Sequence, residues 1–211
     1  MKQLFKSLIA FVLITLKIVN IYALDLRKEI TIRPLTIKDE KIFIDQFVES
    51  FMSAYKDQVF VVTKNNEYVL LTNSESDALK KQEWILSAAK SEFDEYVQKN
   101  NNKSFKSIGV LQNGKLIGGL LYRIIDHKTI YLAQLFIAPK YQKQGISFYV
   151  LNNLFPKLYP SCKRYEVFTR HQNYGAILLY KKLGYKIGSI DILEKYKFNP
   201  LMYMSFFKDI N

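Results

Sequence analysis

The sequence predicts an α/β fold: a mixed, twisted sheet of six to seven strands flanked by helices. Three observations carry this. Residues 107–125 read as two strands around Asn113-Gly114, the strongest short-range hairpin signal. Residues 129–169 read as strand, helix, strand, the order of a parallel crossover. Antiparallel pairing before a parallel crossover demands a mixed sheet.

The elements follow in order from about residue 29, and one domain over 29–207 is expected. "EITIRPLT" (29–36) alternates apolar and polar residues, as a strand does. Thr36 is placed to cap a helix whose apolar positions are Ile37, Ile42, Phe43, Phe47 and Phe51. "VFVVTKNNEYVLLT" (59–72) reads as two short strands around an Asn-Asn turn. "SDALKKQEWILSAAKSEFDEYVQKN" is an amphipathic helix with Leu79, Ile85, Ala89, Phe93 and Tyr96 near one face. After the hairpin, "DHK" turns the chain into a third strand, "TIYLAQLFIAP". A helix opens near Gly145, and Pro156 is expected to shorten or kink it. "RYEVFT" (164–169) is a strand. "NYGAILLYKKLGY" is a helix with Ala176, Ile177, Tyr180 and Leu183 on one face and Gly184 at its C-cap. "YKIGSIDIL" and "LMYMSFF" read as terminal strands.

Residues 1–23 stand apart. Lys2 and Lys6 precede an apolar run from Leu8 to Leu16, and Ala23 is followed by polar "DLRKE". That is the order of a signal peptide. Lys17 and Asn20 stop the run short of the ~20 apolar residues that span a bilayer, which favours the signal peptide over the alternative, an uncleaved membrane anchor. Export, or membrane association if the segment is retained, is the expectation. The formal net charge is +12 and Phe and Tyr number 15 each. A basic surface suits anionic ligands. Nucleic acid, to be carried by stretches such as "KYKF" (195–198), is the less favoured partner. The single cysteine, Cys162, excludes an internal disulfide, and no metal site is read.

The chemistry concentrates in "APKYQKQGISFYV" (138–150). In open α/β sheets ligands bind where the carboxyl ends of neighbouring strands diverge. Here that point is the junction after Ala138. A helix N-terminus leaves N–H groups unpaired and carries partial positive charge, so a loop feeding it can hold phosphate. "QKQGIS" has no acidic side chain, one glycine for close backbone approach, and Lys143 as a mobile cation. A plain strand-to-helix turn explains the glycine equally well at this stage.

Three stretches then resemble the GNAT-type acyl-CoA N-acyltransferase superfamily. "LFIAPKYQKQGIS" resembles its Gln/Arg-x-x-Gly-x-Gly/Ala signature, with Gln142 and Gly145 in register and Ser147 at the usual Gly/Ala position. "NYGAILLYKKLGY" resembles its second signature through Asn173, Ala176, Tyr180, Leu183, Gly184 and Tyr185. "IRPLTIKDE" (32–40) resembles its opening. The resemblance covers 32–40 and 107–187. It implies transfer of an acetyl or other acyl group from coenzyme A to a primary amine, with acetyl-CoA as co-substrate. It implies a V between the 129–137 and 164–169 strands. The pantetheine arm would bond the backbone of Phe136, Ile137 and Ala138. The pyrophosphate would sit on Gln142, Lys143, Gln144, Gly145, Ile146 and Ser147. Asn173 matches a position that contacts the cofactor or caps its helix. Tyr180 matches the tyrosine that protonates the leaving thiolate.

The general base is not evident. Many superfamily members carry a Glu on the strand before the cofactor loop, whereas "YLAQLF" has Gln134. His171, at the carboxyl end of its strand, is the candidate beside Asp126 and His127, with relayed water as the default. The acceptor amine is not readable. A fold-retaining binding or interaction protein without catalysis, such as an exported effector, is the alternative function.

Overall fold

The computed structural model describes residues 29–56, 60–64, 67–72, 74–98 and 103–210. The leader reading of residues 1–23 lies outside them. Strand β1 (Ile30–Pro34) runs into a 3-10 turn (Ile37–Asp39) and helix α1 (Glu40–Ala54). Arg33 donates two hydrogen bonds to the Asp39 carboxylate, at 2.8 and 2.7 Å, and Thr36 N–H donates a third at 2.8 Å. These bonds fasten the strand to the helix start. Strands β2 (Phe60–Lys64) and β3 (Glu67–Leu71) form a separate antiparallel pair. Helix α2 (Glu75–Phe93) passes into a π-helical turn, Asp94–Gln98.

The hairpin is β4 (Phe105–Gln112) and β5 (Lys115–Ile124). Asn113 and Gly114 both have positive φ, 50° and 74°, as a tight hairpin turn with right-handed twist requires. Asp126 Oδ1 accepts from the N–H groups of Lys128 and Thr129, which turns the chain into β6 (Thr129–Ile137). A helical stretch follows in three parts: α3 (Ile146–Tyr149), a π-helical segment (Val150–Leu154) and α4 (Phe155–Leu158). Pro156 has no N–H to give and its ring crowds the preceding turn, and the wider π turn immediately before it accommodates both effects. Strand β7 (Arg164–Arg170), helix α5 (Tyr174–Lys182), the short β8 (Lys186–Ile187), helix α6 (Ile190–Lys195) and β9 (Tyr203–Asp209) complete the chain.

Seven strands form one sheet in the order β1-β4-β5-β6-β7-β9-β8. Among the described residues only β6 and β7 pair in parallel. One face packs on α1 and α2 through Phe43, Phe47, Ile85, Ala89, Phe93, Leu121 and Phe136. The other packs on the 146–158 helical stretch and α5 through Leu120, Leu132, Phe155, Val167, Tyr180 and Leu183. The mixed sheet with helices on both faces is therefore as the sequence indicated.

Three local expectations are corrected. Residues 190–193 are helical, not a strand. Gly188 and Ser189 interrupt β8, and Asp191 in the first turn and Lys195 in the last suit a helix dipole. Leu79 is 62% exposed, so the buried stripe of α2 begins at Lys81 and Ile85. Ile37 and Ile42 are exposed as well, because the stripe through Phe43 and Phe47 leaves Ile42 about 100° off the core direction.

Candidate active site

Parallel pairing of β6 and β7 runs from Thr129 opposite Arg164 to Leu132 opposite Val167 and ends there. Both strands continue beyond that point. The other edge of β7 stays paired with β9 as far as Arg170 opposite Tyr203, so β7 turns away together with β9. On β6 the register slips where divergence begins. Leu121 faces Gln134 while Tyr122 faces Leu132, leaving Ala133 as a bulge. A cleft of about 510 Å³ opens in this V. Its walls include Gln134 and Leu135 from β6, Phe168, Thr169 and Arg170 from β7, Asn173 and Tyr180 from α5, and Trp84, Glu92 and Glu95 from the α2 region.

The backbone at the open edge is specific. Ala138 N–H donates to Ile117 O at 2.8 Å, so the polar groups of Ala138 and Phe136 turn towards β5. Alternation turns those of Leu135 and Ile137 towards the gap. Gln142 is fully engaged: its N–H bonds Pro139 O, and its Nε2 donates to Ile137 O at 2.8 Å and Ser50 Oγ at 3.2 Å. The side chain thus braces the loop against β6 and α1. Beyond it, Lys143 (φ 60°) and Gly145 (φ 78°) both lie in the left-handed region. The first helical bond after the loop is Tyr149 N–H to Gly145 O at 2.9 Å. The N–H groups of Ile146, Ser147 and Phe148 therefore precede the helical ladder, as N-terminal groups must. Successive N–H groups in such a turn form an anion-binding concavity. The exposed Lys143 and Gln144 flank it.

The cleft also holds a carboxylate. Gln134 Nε2 donates to Glu92 Oε1 at 3.1 Å. Burial pushes the Glu92 carboxyl up, and the bond from Gln134 opposes that only in part. Tyr180 is buried at the opposite wall, its ring 5.5 Å from Tyr185 and 5.7 Å from Phe206. Burial raises its hydroxyl well above the usual phenol range, so it stays protonated. Asn173 caps α5 by accepting from Ala176 N–H at 3.2 Å, and its Nδ2 reaches the Tyr55 hydroxyl at 3.5 Å. Burial pushes that hydroxyl up to about 12. Arg123 donates to the Tyr96 hydroxyl at 2.8 Å and pairs with Glu95 at 3.4 Å.

Of the residues the sequence singled out, Asn173 and Tyr180 line the cleft; Phe136, Ile137 and Ala138 follow its wall residue Leu135 along the chain, and Gln142 to Ser147 form the loop and helix start after them. His171 is not brought there. It is exposed, with Nε2 3.0 Å from Pro200 O. Glu92, Trp84 and Arg170 also line the cleft and were not among the residues singled out from the sequence. Glu92 carried a legible signal: Ile85, Ala89, Glu92 and Tyr96 succeed one another at helical spacing, which sets a carboxylate on the apolar stripe. Among the described residues no group of three or more His, Cys, Asp or Glu side chains could hold a metal ion.

The acetyltransferase (GNAT) family model matches residues 72–185. Solved structures of similar fold include the PaiA N-acetyltransferase from Thermoplasma acidophilum in complex with coenzyme A. It has TM-score 0.61 and 18% identity, covering 86% of this chain and 99% of that one. An acetyltransferase from Thermus thermophilus has TM-score 0.58 and 11% identity, covering 86% and 97%. Spermidine N-acetyltransferase from Vibrio cholerae, in complex with CoA and spermine, has TM-score 0.54 and 14% identity, covering 86% and 96%. No curated protein sequence matches the chain.

Proposed function

Because this chain belongs to the GNAT acetyltransferase family, we propose that it moves an acetyl or other acyl group from coenzyme A to a primary amine by direct attack on the thioester. The observation that carries this is the end of β6–β7 pairing at Leu132 and Val167, which leaves an open strand edge leading to the loop before Ile146. The residues fit the co-substrate. The gap-facing backbone of Leu135 and the Ile137 N–H offer an extended pantetheine arm strand-like hydrogen bonds, while Ile137 O is held by Gln142. The N–H groups from Lys143 to Ser147 offer a pyrophosphate a cradle that no acidic side chain opposes.

The thioester supplies an activated acyl carbon and a thiolate leaving group. The chain's own residues do the rest. An alkyl ammonium has a pKa near 10.4 and must lose a proton before it attacks. Glu92 accepts that proton, directly or through one water, and Gln134 holds its carboxylate in place. The raised Glu92 pKa brings its basicity closer to the working pH. Tyr180 donates a hydrogen bond to the departing sulfur. His171, turned to Pro200, takes no part.

The test is a thermal-shift titration with acetyl-CoA, longer acyl-CoAs and free CoA, followed by thiol release with a panel of amines. Ligand that binds only the folded state raises the melting temperature. No shift with any acyl-CoA sinks the proposal. Binding without thiol release favours the fold-retaining binding protein. Export directed by residues 1–23 is a separate proposal, to be tested by N-terminal sequencing of secreted material.

A further inference from the structure

A second cavity, of about 440 Å³, shares no lining residue with the acyl cleft. Its size is within the range of small-molecule sites. Pro34 of β1 lies opposite Ile108 of β4, and Lys106 of β4 lies opposite Tyr122 of β5, so the four form a patch on the sheet. Leu158, at the end of α4, and Tyr159 after it make the facing wall. Leu158 is 45% exposed.

The polar groups of this cavity are one-sided. None of its lining residues is Asp or Glu. Arg33, on the rim, is matched by Asp39. Lys106 is half-buried, and among the described residues its ammonium has no hydrogen-bond or ion-pair partner. A lysine so placed lays its stem along apolar surface and keeps its ammonium at the rim. Beside it, the Tyr122 and Tyr159 hydroxyls are 2.8 Å apart. One of their two protons is used between them, and the other is left to donate. Edge-to-face packing of the Tyr122 ring on Phe155 and Tyr159, at 4.9 and 5.6 Å, fixes the pair in place.

We propose that this cavity is a second ligand site, for a small amphiphilic carboxylate. The apolar body of the ligand covers Pro34, Ile108 and Leu158, and its carboxylate accepts from Lys106 and from the tyrosine pair beside it. The inference goes beyond acyl transfer and does not depend on it. A cationic ligand meets two cations and no carboxylate on these walls. A neutral apolar one desolvates the Lys106 ammonium without giving it a partner.

The test is calorimetry together with backbone-amide NMR on the whole chain, with and without free CoA. The probes are octanoate, 4-phenylbutyrate, octylamine and 1-octanol. Expected is one saturable site per chain for the two carboxylates, insensitive to CoA occupying the cleft, with amide shifts at Lys106, Tyr122, Leu158 and Tyr159. Their affinity should exceed that of octylamine and octanol by about 10-fold or more. Lys106→Gln should weaken octanoate by about 10-fold, Lys106→Arg should keep most of the binding, and Lys106→Glu should turn the preference towards octylamine. Leu158→Asp sets a carboxylate on the exposed wall and should abolish octanoate binding with little change in melting temperature. Equal affinity for octanoate and octylamine, unaltered binding in Lys106→Gln, shifts confined to cleft residues such as Asn173 and Tyr180, or no binding of either carboxylate overturns the inference. Each of those results leaves the acyl-transfer reading standing, which fails only by its own test.

Discussion

Glu92 Oε1 accepts a hydrogen bond from Gln134 Nε2 at 3.1 Å, joining α2 to β6 directly beside the bulge at Ala133. A strand amide that cannot itself take up a proton is thereby coupled to a carboxylate that can. Replacing Glu92 by Gln should keep the amide contact and remove the base. Expected is a fall in kcat of about 10²- to 10⁴-fold at neutral pH, with acyl-CoA affinity retained in a thermal-shift titration. Wild-type kcat should also lose its acidic limb in the variant. A variant that keeps both its rate and that limb removes Glu92 from the mechanism.

The same carboxyl makes a stability prediction of opposite sign. Burial raises its pKa in the folded state, so the native chain binds more protons than the unfolded chain between the two values. Stability therefore falls as pH rises through that window, and the loss persists above it. Glu92→Gln cannot ionise and should be spared the loss. Its melting temperature at pH 8 should equal or exceed that of the wild type, although its activity is lower.

Tyr180 tests the other proton. Its buried hydroxyl remains protonated across the working range, so Tyr180→Phe should lower kcat by about 10²-fold and leave acyl-CoA binding nearly unchanged. Because the ring contacts to Tyr185 and Phe206 survive in Phe, the melting temperature should hardly move. Circular dichroism melts beside thiol-release kinetics separate the two effects.

What the sequence made legible was local. Asn113-Gly114 specifies its turn through the φ its residues tolerate, and the stretch from Gln142 to Ser147 announces a loop-to-helix junction within six residues. Glu92 depends on a partner 42 residues away, and Ala133 becomes a bulge only through its pairing with β5. Neither relationship exists until the sheet is assembled. The helix at 190–195 was obscured by β-branched Ile190 and Ile192, which favour strands, while Ser189, Asp191 and Lys195 marked its ends. His171 drew notice for its chain position alone, and the carbonyl of Pro200 decides where its ring goes.

The bidentate pair between Arg33 and Asp39 holds β1 to the start of α1. Hydrogen bonds from Arg33, then Thr36, hold the Asp39 carboxyl down to about 2. A depressed folded value gives stability that is present above the unfolded carboxylate range and lost as pH falls from about 4 towards 2. Asp39 is 8% exposed but Arg33 is more open to solvent, so screening leaves about 1 kcal/mol. Asp39→Asn should cost that much at pH 7 in urea unfolding, and the gap to wild type should narrow as pH falls towards 2.

Gly145 provides the sharpest test of the phosphate cradle. Its φ of 78° places it in the left-handed region directly before Ile146. An L-residue there costs roughly 1–2 kcal/mol, and relief requires the loop to turn its N–H groups elsewhere. Gly145→Ala should therefore lower stability by about that amount and weaken free CoA more than a fragment lacking the pyrophosphate, such as N-acetylcysteamine acetate. Lys143 has φ 60° and already bears such strain, so Lys143→Gly should be neutral or stabilising while losing only the contribution of its charge. Calorimetry with CoA on the two variants gives the comparison. If Gly145→Ala binds CoA as the wild type does, the backbone of this loop does not hold the pyrophosphate, and the strand edge at Leu135 and Ile137 must carry the co-substrate alone.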